Sequence, residues 1–348
     1  MKNFVVALLF VALTALCWGV YGPVLNQGQK DMGAHAHWRP FICVGLAYFV
    51  IAIVVPSLLL RVRPEKGGWT VRGTTWSLIA GAAGALGALG IILAFTNGGK
   101  PIYVMPLVFG CAPVVNTLYT MLTNRDHGRP SPLFIAGLIV VAAGAVSVLV
   151  FKPKAAAVAA APTAQAQAHA PAEISMMQTV VVTSCVAMTA LCWGVYGPML
   201  HKGQMLMQGS RLRPLVCVGV SYFVIAVLLP LAVLQFIPEE STYTYNGTLW
   251  SLGGGTAGAL GALGVIMAFN FGGKPIYVMP LVFGCAPVIN TLIGIRLQGA
   301  ASISPFFYAG LILVVVGAVT VLVFAPRGGH KPEPASAPRG AAAGHPAT

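Results

Sequence analysis

The sequence predicts an all-α integral membrane protein with ten transmembrane helices, arranged as two inverted five-helix repeats. Of the 348 residues, 57% are hydrophobic and only 8% are charged, whereas soluble domains carry about 25% charged residues. Residues 98–118, GGKPIYVMPLVFGCAPVVNTL, return at 272–292 with 20 of 21 positions identical. Apolar windows of roughly 20 residues, the length that crosses a bilayer, recur along the chain. Together these observations predict a duplicated, polytopic membrane protein.

The apolar windows number ten. The first resembles a signal peptide, but its ending, Cys17-Trp18-Gly19, returns in mid-chain at 192–194, so we expect it to be a retained span. The halves align with an offset of 175 residues in the first span, 174 through the middle and 173 in the last. Because each half holds an odd number of spans, the second half is expected to be inverted. The predicted spans are residues 4–25, 40–60, 75–96, 101–122, 132–151, 178–200, 214–237, 248–270, 275–296 and 304–324.

The domain organisation follows from these spans. Residues 1–151 form the first five-helix repeat and residues 178–324 the second. Between them, residues 152–177 are rich in Ala, Pro and Gln, which predicts a flexible external linker. Residues 325–348 are rich in Pro, Ala and Gly and are predicted to be a disordered cytoplasmic tail.

The charge pattern predicts the orientation. The net charge is +13, but the basic residues lie at the ends of apolar runs, so the charge does not indicate nucleic-acid binding. With the N-terminus inside, 14 of the 20 Lys and Arg residues lie in cytoplasmic segments, as the positive-inside rule requires. Segment 61–74 holds four of them, whereas its repeat mate 238–247 holds none and carries Glu239 and Glu240. We therefore predict a multi-pass protein of the plasma (inner) membrane with both termini cytoplasmic.

Proline interrupts the repeated block at matching positions. Pro106 and Pro113 lie in the fourth span, and Pro280 and Pro287 lie in the ninth. Each proline removes a backbone donor and frees the carbonyl four residues earlier, and in lipid such groups persist only against protein or a polar cavity. Interrupted spans at corresponding positions of two halves indicate a transporter's binding site.

Two lysines stand in the short hairpins that lead into these spans. Lys100 and Lys274 are the strongly basic residues of the two hairpins, and inversion would bring one toward each membrane face. They either extend to the lipid headgroups or draw an anionic or strongly polar substrate to each gate.

Further polar and aromatic side chains are candidates for substrate binding, and each has a structural alternative. The tyrosines fall near the lysines on the same helical face. The asparagines either hold substrate hydroxyls or amides, or satisfy the carbonyls freed by proline. The Trp-Gly-x-Tyr-Gly-Pro motifs are either interfacial anchors or the ends of broken helices lining a cavity. The candidates are Tyr103, Tyr277, Asn97, Asn116, Asn270, Asn290, Trp18, Tyr21, Trp193 and Tyr196.

The predicted spans lack several kinds of reactive residue, which limits the reactions that they could support. All seven acids and all seven histidines fall in predicted loops, linker or tail, so a buried carboxylate relay would need Asp31 to enter from the first external loop. No span shows the spacing of a metal site, and the seven cysteines lack CxxC spacing. We predict no catalytic residue, metal or cofactor. Glycines recur every three residues in the third and eighth spans, which predicts close helix packing.

Both halves contain the same short motifs in the same order. These are the span ending in Cys-Trp-Gly, then Ala94-Phe95, Ala112-Pro113 and Ala136-Gly137-Leu138, repeated as Ala268-Phe269, Ala286-Pro287 and Ala309-Gly310-Leu311. This order resembles the ten-span, EamA-like branch of the drug/metabolite transporter superfamily, and the Trp-Gly-x-Tyr start is similar to its sugar-uptake and ureide-permease members. The resemblance implies two inverted five-helix repeats, a central substrate cavity and alternating access. Many members carry Gly-Glu after the fourth span, where this chain has Asn124-Arg125-Asp126.

The favoured function is secondary transport of a small polar metabolite across the plasma membrane, with the site at the repeat interface near the kinked fourth and ninth spans. Within transport, the alternatives are export of amphipathic compounds or flipping of a lipid carrier. From another class, the alternatives are a non-transporting scaffold or an integral enzyme acting on lipid. The predicted partners are a small-molecule substrate and the lipid bilayer, with no nucleic acid and with a homodimer left open. Substrate, direction and coupling ion stay undetermined.

Overall fold

The structure, a computed structural model, describes residues 2–33, 35–63, 65–123, 130–151, 154–155, 175–298, 300–302 and 304–324. Most of the predicted linker, the whole tail and Asn124-Arg125-Asp126 lie outside these ranges. The described chain is helical apart from two short strands. In the first half the helices are α1 (Lys2–Met32), α2 (Trp38–Val62), α3 (Val71–Thr96), α4 (Pro101–Thr123) and α5 (Pro132–Val150). In the second half they are α6 (Met176–Leu206), α7 (Leu212–Phe236), α8 (Tyr245–Asn270), α9 (Pro275–Gln298) and α10 (Pro305–Phe324).

Eight of the described helices, all except α5 and α10, are long and apolar enough to cross a membrane. Helices α5 and α10 contain shorter apolar stretches, Pro132–Gly144 and Pro305–Val321. The described part is therefore a helical, multi-pass membrane protein, as its composition predicts.

The helices begin where side chains satisfy the first backbone N–H groups. Thr70 accepts a hydrogen bond from the Gly73 amide at the start of α3, and Thr244 accepts one from the Gly247 amide at the start of α8. Helix α6 begins with a capping box between Ser175 and Gln178. This cap starts α6 at Met176, two residues before the predicted boundary.

Helices α1 and α6 are longer than predicted. We expected spans of 4–25 and 178–200, but the helices continue to Met32 and Leu206. Pro23 and Pro198 lie inside them, so the prediction that the Trp-Gly-x-Tyr-Gly-Pro motif breaks a helix was wrong. Tertiary contacts of a membrane helix compensate for the backbone donor that a proline removes. As a consequence Asp31 and His201, which we placed in loops, belong to helices.

The second helix of each half contains a π-helical segment. It spans Phe49–Val54 in α2 and Val224–Leu228 in α7. In both helices a proline, Pro56 or Pro230, follows the π segment within two residues. Such π segments are rare and often occur at functional sites.

The two halves pack across each other. Helix α1 packs against α8 and α9, while α6 packs against α3 and α4. Helix α5 packs along α10, and the strands Lys154–Ala155 and Ala300–Ser302 pair antiparallel. Lys154–Ala155 belongs to the predicted linker, most of which lies outside the described residues.

The glycine rows of α3 and α8 lie at the contacts between the halves. A Cβ built at Gly87 would lie 2.2 Å from Trp193 Nε1, and one at Gly261 would lie 2.1 Å from Trp18 Nε1. Real Cβ atoms do not approach other atoms this closely, so glycine lets the indole rings lie against the helix backbones. The predicted role of these glycines in close packing is confirmed.

Candidate functional site

Four aromatic rings form a closed circle at the centre of the molecule, two from each half. Trp18 stacks on Trp193 with ring centroids 6.3 Å apart, and Trp193 stacks on Phe109 at 6.0 Å. Phe109 stacks on Phe283 at 5.8 Å, and Phe283 returns to Trp18 at 6.0 Å. These offset arrangements are the favourable ones for aromatic pairs. The predicted candidates Trp18 and Trp193, both half-buried, therefore pack against each other where the two halves meet.

Two pairs of tyrosines extend this circle. Tyr21 meets the edge of Trp193 at 6.1 Å, and Tyr196 meets the edge of Trp18 at the same distance. Tyr48 and Tyr222 stack face to face, with centroids 3.6 Å apart and planes 3° apart. Each pair again contains one residue of each half.

The tyrosine and tryptophan rings enclose a small cavity, which we call the aromatic cavity. It is lined by Trp18, Tyr21, Tyr48, Gly84, Trp193, Tyr196, Tyr222 and Gly258. Its volume is about 30 Å³, counted as space open to the centre of a water molecule. One water needs roughly 10–15 Å³ on this measure. In this conformation the cavity therefore has room for water but not for a metabolite.

Hydrogen bonds to the glycine-rich helices fix the two indole rings. Trp18 Nε1 donates to the Gly258 carbonyl at 3.3 Å, and Trp193 Nε1 donates to the Gly84 carbonyl at 3.2 Å. One turn earlier in α1 and α6, Thr14 and Thr189 donate to carbonyls of the same two helices. The indole donors are thus already used within the protein.

The hydroxyl groups of Tyr21 and Tyr196 are different. Both side chains are 4% exposed, and neither hydroxyl has a hydrogen-bond partner among the described residues. Leaving a buried polar group unsatisfied costs about 1–3 kcal/mol. Two such groups in the lining of one cavity are typical of a site that a ligand completes.

Sequence analysis missed half of this site. Tyr48, Tyr222, Phe109 and Phe283 were absent from the candidates because single aromatic residues within apolar spans resemble ordinary core residues. One signal was available: each pair is related by the repeat offset of 174 residues. The stacked tyrosines also lie just before the two π-helical segments, a feature that the sequence does not reveal.

Asn116 and Asn290 lie elsewhere, at the crossing of α4 and α9. Both are fully buried. Asn116 Nδ2 donates to the Pro275 carbonyl at 3.2 Å, and Asn290 Nδ2 donates to the Pro101 carbonyl at 3.0 Å. Each asparagine thus bonds the first residue of the other half's kinked helix. The structural alternative expected these asparagines to bond carbonyls that proline had freed. Neither bond goes to such a carbonyl.

The hairpin residues do not join the aromatic cavity. Tyr103 and Tyr277 donate to the carbonyls of Gly98 and Gly272 in their own hairpins. Asn97 donates to the Leu93 carbonyl, and Asn270 donates to the Gly209 carbonyl. These four side chains fasten the hairpins.

The two lysines differ in their surroundings. Lys100 is exposed and borders a polar pocket of about 270 Å³, which Lys30, Asn26 and Gln29 also line. Lys274 is half-buried. At the repeat mate of Lys30 stands Met205, so this basic residue is not repeated in the second half.

The four prolines of the repeated block are buried inside α4 and α9, which continue through them. Their environment is protein, as expected for helices with freed carbonyls in lipid. Within the described residues, no three His, Cys, Asp or Glu side chains lie together in a way that would hold a metal ion.

Comparison with known proteins defines the fold more than the function. No protein-family model and no curated protein matches the chain, but 29 chains of solved structures do. One of them, described only as "Crystal structure of protein", matches with a TM-score of 0.62 and 17% sequence identity, over 92% of this chain and 99% of that chain. The two proteins are similar in fold over nearly their whole lengths. At 17% identity, the similarity extends to the fold alone.

Proposed function

We propose that this protein is an alternating-access secondary transporter of a small polar metabolite. The observation that carries the proposal is the aromatic cavity, which lies at the centre and takes equal numbers of side chains from both halves. Sites between two related halves are typical of secondary transporters, because rocking of one half against the other exposes such a site to each side in turn. The resemblance to EamA-like transporters supports the same function.

The proposal includes ten transmembrane helices in two inverted repeats, with both termini in the cytoplasm of a cell bounded by the plasma (inner) membrane. The contacts between distant segments support this topology. The strand at Lys154 pairs with the strand at Ser302, and the charge pattern assigns both segments to the outside. Ser131 bonds the carbonyl of Phe324, and the charge pattern assigns both to the inside.

The accessibility of Tyr21 tests alternating access without knowledge of the substrate. In a protein freed of native cysteines, we expect Tyr21→Cys to react with a membrane-impermeant thiosulfonate from either side, in right-side-out and in inverted vesicles. The Tyr21 side chain is 4% exposed in this conformation, so the reagent reaches it only when the aromatic cavity opens. Modification is measured by the loss of later maleimide labelling.

Ala80→Cys is the matched control, because Ala80 is fully buried outside the aromatic cavity and should react from neither side. Protection of position 21 in both vesicle orientations would contradict transport through the aromatic cavity, and reaction from one side alone would contradict alternating access.

A second function, export or flipping of amphipathic molecules, is favoured by one observation. An apolar groove of about 500 Å³ lies between α4 and α5, lined by residues such as Leu118, Met121 and Ile139. Movement of a lipid along this groove would bypass the aromatic cavity. In that case the thiol of the Tyr21→Cys variant would stay unmodified from both sides.

A further inference from the structure

The lining of the aromatic cavity contains no charged side chain. Its eight lining residues are two tryptophans, four tyrosines and two glycines. The indole N–H groups are bonded to glycine carbonyls, which leaves the hydroxyls of Tyr21 and Tyr196 as polar atoms without a described partner. The walls are ring faces and ring edges.

This lining selects against anionic ligands. A buried anion without a partner of opposite charge is strongly destabilising, and the eight lining residues offer no positive charge. Aromatic faces instead favour another ring, stacked or edge-on. Phenol hydroxyls both donate and accept hydrogen bonds, so either kind of polar group on the ligand's edge would satisfy them.

We propose that the aromatic cavity binds a flat ring compound that carries no negative charge, with hydrogen-bonding groups on its edge held between the hydroxyls of Tyr21 and Tyr196. The proposal rests on the transport function proposed above and names its substrate class. Lys100 and Lys274 are absent from the cavity lining, so an anionic substrate, one of the options that the lysines suggested, is not expected there.

Entry of such a ring requires the cavity to open, since about 30 Å³ accommodates only water. The face-to-face stack of Tyr48 on Tyr222, at 3.6 Å, leaves no space between its rings. Both tyrosines lie within two residues of the π-helical segment that follows them. Separation of α2 from α7 at this stack would enlarge the cavity.

Three probes of equal size test the charge rule: nicotinamide, which is neutral, nicotinate, an anion, and 1-methylnicotinamide, a cation that the ring faces can hold. We expect calorimetry on the purified protein to show binding of nicotinamide and of 1-methylnicotinamide at least about tenfold tighter than of nicotinate. Tyr21→Phe and Tyr196→Phe each remove one hydroxyl and keep the ring. Each should weaken nicotinamide binding about fivefold to tenfold, the loss expected for one hydrogen bond to a buried group.

Tyr245→Phe is the control, because Tyr245 is 83% exposed and should leave binding unchanged. Equal binding of the three probes, binding of none of them, or unchanged binding in both cavity variants would overturn the proposal. Counterflow of labelled nicotinamide in proteoliposomes separates this proposal from the transport function. Selective binding of nicotinamide over nicotinate without counterflow would support the proposed binding site and contradict the transport function.

A second inference concerns two buried glutamates that are repeat mates, Glu65 and Glu239. Each lies in the loop after the second helix of one half and binds the start of the second helix of the other half. Glu239 accepts from the amides of His37 and Trp38 at 2.7 and 2.8 Å. Glu65 accepts from the amides of Arg211 and Leu212 at 3.1 and 2.9 Å. We call these contacts the Glu239 clamp and the Glu65 clamp.

Each clamp also contains a serine that donates to the carboxylate, Ser210 or Ser241, at non-equivalent positions. The difference that bears on pH lies at one titratable side chain. In the Glu65 clamp, Arg211 Nε lies 3.3 Å from the carboxylate. At the equivalent position of the Glu239 clamp stands His37, whose Nδ1 lies 2.9 Å from Glu239 Oε1 and 2.7 Å from the His35 carbonyl. Arginine is charged at all relevant pH values, whereas histidine titrates near neutrality.

The surroundings of His37 favour its charged form. Burial opposes protonation of the ring, but the hydrogen bonds to Glu239 and to the His35 carbonyl and the charge of Glu239 outweigh it, so the pKa of His37 is raised. Burial likewise opposes ionisation of Glu239, but its hydrogen bonds, first that of His37, hold its pKa well below the usual range. The other charged or titratable groups here include Arg39, 3.3 Å from Glu239, and Tyr243, whose ring lies 5.6 Å from the Arg39 guanidinium. They also include the exposed His35 and Glu240 and the buried Cys43.

We infer that the Glu239 clamp is a pH-sensitive latch on one membrane face, whereas the Glu65 clamp on the opposite face is insensitive to pH. Because the folded protein binds the His37 proton more tightly than the unfolded chain, this contribution to stability is complete below pH of about 6.5. It is lost as the pH rises through the higher folded value. The latch therefore tightens in acid and loosens toward alkaline pH.

Hydrogen exchange of the two helix starts tests this inference. Protection of the amides of residues 37–39, corrected for the intrinsic effect of pH, should be higher at pH of about 6, below the usual histidine value, than at pH of about 8.5, well above it. Protection of residues 211–213 should not change. His37→Arg should abolish the difference at the first clamp, and Arg211→His should create it at the second. A pH effect that persists in His37→Arg, or an equal effect at both wild-type clamps, would overturn the inference.

Discussion

Gly261→Ala is expected to destabilise the protein more than any other single methyl addition in α8. The new Cβ would lie 2.1 Å from Trp18 Nε1 and 2.3 Å from its Cδ1. The indole cannot move away freely, because it is bonded to Gly258 and stacked on Trp193 and Phe283. Overpacking of this kind costs about 1–3 kcal/mol or more, and loss of the indole hydrogen bond adds to it. The midpoint of thermal unfolding in detergent measures the effect.

Gly253→Ala is the matched control within the same helix. A Cβ at Gly253 would meet Val24 Cγ1 at 3.6 Å, an ordinary contact, and alanine favours a helix over glycine by about 1 kcal/mol in water. This variant should be as stable as the wild type or more so. In the Trp18→Ala background, which lacks the clashing ring atoms, Gly261→Ala should cost much less stability than in the wild type. Equal midpoints for Gly261→Ala and Gly253→Ala would show that the indole does not lie against Gly261.

Glu239→Gln is expected to have the second large effect. The carboxylate is 2% exposed and accepts hydrogen bonds from the His37 and Trp38 amides, from Arg39 and from Ser241. Removing one partner of a buried ion pair costs about 3–5 kcal/mol, and here it leaves Arg39 without its carboxylate. Unfolding midpoints at neutral pH should fall accordingly.

The pH profile gives this prediction its specific signature. Because the pKa of Glu239 is lowered on folding, its stabilisation is present above the unfolded value near 4.5 and is lost as the pH falls below it. Wild type and Glu239→Gln should therefore converge in stability in acid. Glu240→Gln, a change at the exposed neighbour, should match the wild type throughout, and a similar loss in both variants would argue against the clamp.

Much of the fold was accessible from the sequence because lipid imposes a simple rule. A segment crossing the bilayer must be apolar and must satisfy its own backbone hydrogen bonds, so length and hydropathy determine where helices form. The starts of α4 and α9 at Pro101 and Pro275 fall where the apolar windows place them. The ends of α1 and α6 lie beyond the apolar windows, because these helices continue through polar residues that are nevertheless buried: Asn26, Gln29 and Gln204.

The residues of the candidate site were likewise predicted only in part from the sequence. Trp18, Tyr21, Trp193 and Tyr196 were identified because a motif repeats where composition alone does not require it. The role of Glu239 was missed because the loops around it diverged, although the Pro-Glu pair persists at 64–65 and 238–239. A loop carboxylate looks solvated until the helix start that it binds is known.

By itself, the sequence determined that the chain is duplicated, apolar and helical, since hydropathy and the repeat are properties of residues close together in the chain. Only the tertiary structure decided which residues of the two halves meet. The stack of Tyr48 on Tyr222, the indoles lying against Gly84 and Gly258, and the difference between the clamps at His37 and Arg211 each join residues more than a hundred positions apart. Such contacts depend on how complete helices pack, which local patterns do not encode.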